Sequence, residues 1–509
     1  MLRSEFALSS RSKYVIVIGI AIATAIAIGI AGSINPMFIL LGVAVLFLSM
    51  VFLKWPDFVV IFVGFVIYTN AATVLIRFHG VPEILGYALP ALLFIPFARS
   101  LVVLNQKIKT NVVLALMMVF LSIIIFSSVF SRDMNLAIPN VINFVAEGLG
   151  LYFLLINTIR TPELLRKVIW SLLIAGALIG GLTLLKQLTG NFDNNYGGFA
   201  QVTGVGFITD ETIVGETRQL RHSGSIGEQN RYAQIMLMLV PLGLFQAWGE
   251  RSKSLRLTAY ILTGLIFIGG SLAFSRGAQV ASLLLIIIMT ILRYIKVHHL
   301  LIVLIGLILF LQAFPQINQR FSTLAGIFSS SGEGGLSNAD SSIQGRATEM
   351  LAALYVFMDH PVIGVGLGMF RYEMEEYSKV VGLKNIAKTR EAHSLYPGVA
   401  AETGILGFVT LMGIFLYTLY RLVVARNYWL KRNQTNLANL CTSFFLSIIS
   451  YLITGLFLHM SFIRFIWLMI ALAIVASEFR EVDSTDDGFG HDTTERLASA
   501  RFSLNDYEH

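Results

Sequence analysis

Four side chains carry most of the reactive potential of this sequence: Arg276, Arg346, His393 and Glu402. His393 lies in REAHSLYPGVAAETGILGF, directly before an apolar block. An imidazole titrates near neutrality, so at such an entrance it can act as a general base; the competing reading is a cap or a hydrogen-bonded interfacial residue. Glu402 follows about two turns later, inside the block. A carboxylate there must face protein or a wet cavity rather than lipid, where it can orient an arginine or the histidine. Gly404 and Gly407 beside it allow close helix contact or a local break. Arg276, in AFSRGAQV at a turn between two apolar blocks, is either an interfacial anchor or the partner of a fixed anion. Arg346 heads an amphipathic stretch, where the helix dipole slightly disfavours a cation. Arg221 and Arg231 flank HSGSIGEQN, whose Gly224 and Gly227 suit a tight turn, and Asn230 is an N-cap or a site residue. Guanidinium groups match phosphate oxygens bidentately, so several of these arginines converging would hold a diphosphate. His222 and His360 are weaker histidine candidates, the second a helix terminator before Pro361; His298 and His299 read as interfacial charge.

The elements that must position these groups are membrane helices. Apolar residues make up 56% of the 509 positions and charged residues 13%, against about 25% charged in a soluble chain. The apolar residues come in blocks without the alternation of a membrane β-barrel, so each block must satisfy its own backbone as a helix. The expected fold is an all-α polytopic membrane protein of about 14 transmembrane helices, each long enough to cross about 30 Å of hydrocarbon. The spans fall at 14–31, 36–53, 57–73, 84–98, 111–128, 138–157, 168–186, 230–247, 257–274, 277–293, 299–313, 396–420, 437–457 and 462–477.

Basic residues fall mainly in alternate connectors, among them Arg3, Arg11, Lys13, Lys54, Lys107, Lys109, Arg166, Lys167, Arg251, Lys253, Arg293, Lys296, Arg421 and Lys431. The positive-inside rule then puts both termini in the cytoplasm and the four reactive side chains at the opposite face. The organisation reads as residues 1–313 with eleven spans and an external loop at 187–229, a large, partly helical external loop at 314–395, three last spans in 396–477, and a disordered cytoplasmic tail at 478–509. Within the large loop, 329–344 is Gly/Ser-rich, and RATEMLAALYVFMDH has helical periodicity with Met350, Leu351, Leu354, Tyr355 and Phe357 on an apolar face. PVIGVGLGMF comes next as a break, and 371–390 is a more charged helical stretch.

The net charge of +7 is explained by membrane orientation rather than by nucleic acid, which is not an expected partner. The single cysteine, Cys441, excludes an intrachain disulfide. No His/carboxylate spacing suggests a zinc site, and there is no P-loop or dinucleotide fingerprint, so neither a metal nor a cofactor is expected.

Four segments, GEQNRYAQIMLMLVPL at 227–242, SRGA at 275–278, GRATEMLAALYVFMDHPVIGVGLGMF at 345–370 and HSLYPGVAAETGILG at 393–407, resemble the O-antigen ligase and polymerase superfamily of bacterial envelope glycosyltransferases. They run through the second half of the chain; the first six spans contribute only a compatible topology. The family often has Asn after its histidine, where this chain has Ser394, and its ligases commonly have twelve spans, so a count of fourteen favours a polymerase-like member. The resemblance implies a glycosyltransferase C-like membrane fold in the bacterial inner membrane and a metal-independent, inverting transfer from an undecaprenyl-diphosphate-linked glycan. His393 would take the acceptor's proton, with Glu402 orienting the site. Arg276, Arg346 and Arg221 would hold the diphosphate, and Asn230, Ser275, Gly277 and Ser394 would support them. The implied partners are the lipid-linked donor, a glycan or lipid acceptor such as lipid A–core, and flippase and chain-length regulator proteins. Two other classes are compatible with the composition: a transporter of polysaccharide or lipid-linked sugar, and a membrane scaffold. A transporter would be expected to carry ionisable groups near midplane in discontinuous helices, and a scaffold leaves the Arg/His set unexplained.

Overall fold

The computed structural model describes residues 51–52, 54–82, 86, 90–203, 221–296, 341–383, 386, 390–459 and 464–480. The expected spans at 14–31 and 299–313, nearly all of 36–53, the Gly/Ser-rich stretch up to residue 340 and the tail from residue 481 lie outside the described residues.

Long apolar helices dominate. They are α1 (Pro56–Thr69), α2 (Ala71–His79), α3 (Phe94–Val102), α4 (Val112–Val129), α5 (Met134–Asn143), a π-helical turn (Phe144–Gly150) and α6 (Leu151–Thr158). After these come α7 (Pro162–Thr189), a two-stranded antiparallel ribbon of β1 (Gln201–Thr203) and β2 (Arg221–Gly224), α8 (Gln229–Gly249), α9 (Lys253–Ser271) and α10 (Arg276–Ile291). The last helices are α11 (Ser341–Asp359), α12 (Phe370–Val381), α13 (Leu395–Lys431), α14 (Thr435–Gly455) and α15, residues 464–480. The ribbon is a small departure from the all-helical expectation. Among the described residues seven helices are long and apolar enough to cross a membrane, or eight if the bent pair α1–α2 is one span. This supports a multi-pass membrane protein; the count of about fourteen is not confirmed.

Local signals set many helix ends. Thr161 caps α7 by accepting from Leu164 N–H at 3.2 Å, with Pro162 at its first position, and Asn111 caps α4 through Leu114 N–H at 3.0 Å. Side-chain oxygens there satisfy amides that the helix itself cannot. The basic connectors carry ion pairs: Lys109 pairs with Glu478 at 3.4 Å and Arg166 with Glu250 at 2.6 Å. Packing is close where side chains are small. A Cβ on Gly269 of α9 would lie 2.4 Å from the Cα of Gly180 in α7, so the two backbones touch. The last helix is the most enclosed element, with residues 465–476 all buried. Arg464 at its start donates to Glu147 in the π-helical turn at 2.7 Å, and also to Asn70 and to Thr73. Asn70 is the left-handed residue at which the α1–α2 pair bends by 57°. Arg464 thus ties the bend and the π turn together through side-chain hydrogen bonds.

A third break, in α13, lies beside the reactive residues. At Gly404 (φ 63°, ψ −168°) the helix is interrupted, freeing carbonyls before it and amides after it. The connector after α11 repairs both sides. Val365 and Gly366 N–H donate to the carbonyls of Ala401 and Glu402, each at 3.0 Å, while Ile405 N–H donates to Pro361 O at 2.8 Å and Leu406 N–H to Val362 O at 3.4 Å. Two positive-φ glycines make the approach feasible: a Cβ on Gly364 would stand 2.4 Å from Glu402 C, and one on Gly404 would stand 2.2 Å from Val362 O. Gly364→Ala is therefore expected to cost about 2 kcal/mol or more, from backbone strain and overpacking together. A clear fall in melting temperature of the detergent-purified protein would register it, and an unchanged Tm would show that the connector does not hold the break.

Candidate functional site

The site is assembled where the β2–α8 turn, the α9–α10 turn, α11, the segment 390–394 and the loop after α14 meet. Arg276 is the first residue of α10, after Ser275, whose backbone is extended and whose side chain is buried, and after Phe274 at φ 50°. Gly277 packs its Cα side against Phe457. Arg346 lies in the first half of α11, close enough to Arg276 for the two charges to interact. Burial lowers its pKa most, the Arg276 charge lowers it further, and Glu349 and Glu228 act the other way. Two half-buried guanidinium groups are thus held in one field, an arrangement that an anion would stabilise.

One turn along α11 from Arg346 stands Glu349, buried and in contact with two partners. Its Oε1 lies 3.2 Å from Arg390 and its Oε2 lies 2.6 Å from His393 Nδ1. The histidine contact is an ion-pair distance that does not meet hydrogen-bond geometry. The carboxylate in contact with His393 is Glu349, which the sequence alone does not single out, because its neighbours mask it. Helical periodicity predicts an apolar face of Met350, Leu351, Leu354, Tyr355 and Phe357, but the first four are 37–44% exposed and Phe357 is half-buried. The face turned inward is Thr348, Glu349, Ala352, Ala353 and Val356. Small side chains let α11 approach α13, and its large apolar ones point out, the reverse of the arrangement in water-soluble helices. The signal present in the sequence is the spacing of Arg346 and Glu349, three apart on one helix face.

Glu402 is buried on α13 and has a different partner. Its Oε2 faces His459 Nε2 at 3.9 Å, an ion-pair distance too long for a hydrogen bond. His459 Nδ1 is hydrogen-bonded to Glu391 Oε2 at 3.2 Å, and Glu391 also accepts from Arg231 at 2.5 Å. Burial on its own would lower the His459 pKa; the hydrogen bond and charge of Glu391 and the carboxylate of Glu402 reverse this and raise it to about 9. Burial likewise opposes ionisation of Glu391, but His459, Arg231 and Arg371 hold it well below the usual carboxylate range. Sequence reasoning misses the His459–Glu391 pair because the two lie 68 residues apart in the chain.

Arg221 is buried and turned toward the α9–α10 turn. Its Nε donates to Ala273 O at 2.9 Å, and an Nη donates to Phe274 O at 3.3 Å and to Asn230 Oδ1 at 2.9 Å. It braces the backbone immediately before Ser275 and Arg276. Asn230 is not the α8 cap; Glu228 is, accepting from the N–H groups of Asn230 and Arg231 at 3.0 and 2.6 Å. The longer Glu228 carboxylate reaches both amides, which leaves the Asn230 side chain to receive Arg221. Ser394 is the buried N-cap residue of α13, with no cap bond from its side chain. His222 is buried and hydrogen-bonded to Gln187 at 2.8 Å; burial, with the Lys186 charge adding, pushes its pKa down to about 4, so it is neutral near pH 7. His360 is exposed at the end of α11.

An apolar cleft between α8, α9 and α10 runs up to this site, lined by Met236, Val240, Ile266 and Leu283 and ending at Ser275 and Gln279 near Arg276. No curated protein is similar enough to this chain to count as a match. Residues 258–412, from α9 into α13, match the family model described as O-antigen ligase, and this match supports membership of the O-antigen ligase and polymerase superfamily.

Proposed function

We propose that this chain is an inverting membrane glycosyltransferase that moves a glycan from a polyprenyl diphosphate carrier to an acceptor hydroxyl. The observation that carries the reading is the pairing of Arg276 and Arg346 beside the Glu349–His393 contact. Two cations in one half-buried field suit a diphosphate, and an imidazole held by a carboxylate suits proton removal. The apolar cleft leading to Ser275 offers the carrier's isoprenoid chain a path to the same place.

In the proposed step the acceptor oxygen attacks the anomeric carbon as the bond from that carbon to the diphosphate oxygen breaks, inverting the configuration. With Glu349 on Nδ1, the imidazole carries its proton there and presents the Nε2 lone pair, which takes the acceptor's hydroxyl proton. Glu349 then balances the imidazolium. Arg276 and Arg346 neutralise charge that grows on the departing diphosphate, which leaves attached to its lipid. Arg221 acts through the backbone before Arg276. Asn230 receives Arg221, and Ser275, Gly277 and Ser394 shape the two helix starts.

Polymerase and ligase share this chemistry and differ only in the acceptor. The family match is common to both; the polymerase reading rests on the expected span count. The protein is read as lying in the bacterial inner membrane with the site facing outward, and flippase and chain-length regulator proteins are its proposed partners. Purified protein in proteoliposomes, given a defined undecaprenyl-diphosphate-linked repeat with and without lipid A–core, is expected to consume the donor. Ladders on the carrier would identify a polymerase, and glycan joined to the core a ligase. Carrier movement across the bilayer without a new glycosidic bond would overturn the transferase reading in favour of transport.

A further inference from the structure

We infer that His459, in its protonated form, is a positioning residue that clamps the 390–394 segment through Glu391 and so holds His393 where it must act. The clamp joins elements far apart in the chain. His459 lies in the loop between α14 and α15, and its Nδ1 is bonded to Glu391 Oε2 at 3.2 Å. The same carboxylate oxygen accepts from Arg231 in the first turn of α8 at 2.5 Å. On the other side of the ring, Nε2 faces Glu402 of α13 at 3.9 Å. The ring also lies against Gly398: a Cβ there would come 3.1 Å from His459 Cδ2 and 3.2 Å from Ala392 Cβ. His459 thus bonds to one of the two residues immediately before His393 and shares a packing site with the other. A neutral group at 459 would keep at most an uncharged hydrogen bond to Glu391 and lose the attraction to Glu402, weakening the tie between the segment and α13.

The groups facing this imidazole set its charge. Glu391 comes from the segment and Glu402 from α13, while Arg231 of α8 and Arg371 of α12 act on Glu391. The His459 pKa, raised to about 9, lies above its ordinary value. A raised histidine contributes fully below its unfolded pKa and loses that contribution as pH rises through the folded value; the lowered Glu391 contributes fully above its ordinary value and loses that contribution progressively as pH falls below it. The clamp is closed near neutrality and opens through about pH 9.

The kinetic part of this inference rests on the transferase reading; the structural part does not. Full-length wild-type protein, His459→Gln and Glu391→Gln in nanodiscs would be compared by amide hydrogen exchange across 390–398, as protection factors corrected for pH. Wild type is expected to be best protected near pH 6 and to lose at least about tenfold as pH rises through 9. Both variants are expected to show the lower protection at every pH. In parallel, turnover of an undecaprenyl-diphosphate-linked oligosaccharide should fall about tenfold in kcat for each variant, with donor KM within about twofold and the alkaline limb near pH 9 abolished. The double variant should be no worse than either single. Wild-type protection and an unchanged pH profile in His459→Gln would overturn the clamp, and if that variant fails to fold, the same result in Glu391→Gln would do so. Should wild type turn over no lipid-linked glycan, the transferase reading falls and the exchange measurement alone decides the clamp.

Discussion

Replacing His393 with glutamine is expected to reduce transfer from a lipid-linked glycan by about 10²–10⁴-fold, the range for losing a positioned general base. Glutamine keeps much of the volume and can still meet Glu349, so the α11–α13 packing should survive while the proton acceptor is gone. The decisive companion variant is Glu349→Gln. Glu349 Oε2 is 2.6 Å from His393 Nδ1, and a neutral amide there can still touch the ring but cannot balance an imidazolium. Its loss should fall mainly on kcat, with donor KM little changed. Steady-state rates on a defined donor, with Tm as the check on folding, would measure both. Full turnover by His393→Gln would remove the base assignment, and full turnover by Glu349→Gln would reduce that carboxylate to a strut for α11.

Arg276→Gln and Arg346→Gln should each lower kcat/KM for the donor by about 10²–10³-fold, as expected when a cation on a developing charge is lost. The second variant carries a prediction of opposite sign. Arg276 contributes to lowering the Arg346 pKa, so the two cations repel each other. Removing the charge at Arg346 should leave thermal stability in the absence of donor unchanged or higher, while removing the stabilisation that donor or inorganic diphosphate confers on wild type. Thermal shift with and without diphosphate reads this directly. A stability loss with unchanged donor kinetics would make Arg346 a structural residue.

Membrane helices are legible in the sequence where periodicity is not needed. Expected spans at 111–128, 168–186, 230–247 and 437–457 correspond closely to α4, α7, α8 and α14, because an apolar run between polar connectors identifies a helix without saying which face is inside. Helix faces are not legible, for the same reason. On α11 the rule for water assigns the large apolar residues inward, yet they point outward, and Thr348, Glu349 and two alanines pack against the bundle. Residue type shows that Glu402 needs a polar partner and that Gly404 permits a break. It does not show that the partner is His459 or that residues 361–366 bridge the break.

Repeated apolar helices suited to a membrane are readable from residue type and local run length alone, and residue type also picks out the ionisable side chains that need polar partners. Only tertiary structure decided how those side chains are grouped: His393 with Glu349, Glu402 with His459, and Arg221 with the turn before Arg276. The physical reason is range. Helix formation and lipid partitioning act within a segment, whereas a hydrogen bond or ion pair acts only over a few ångströms, between groups that folding brings together from anywhere along the chain.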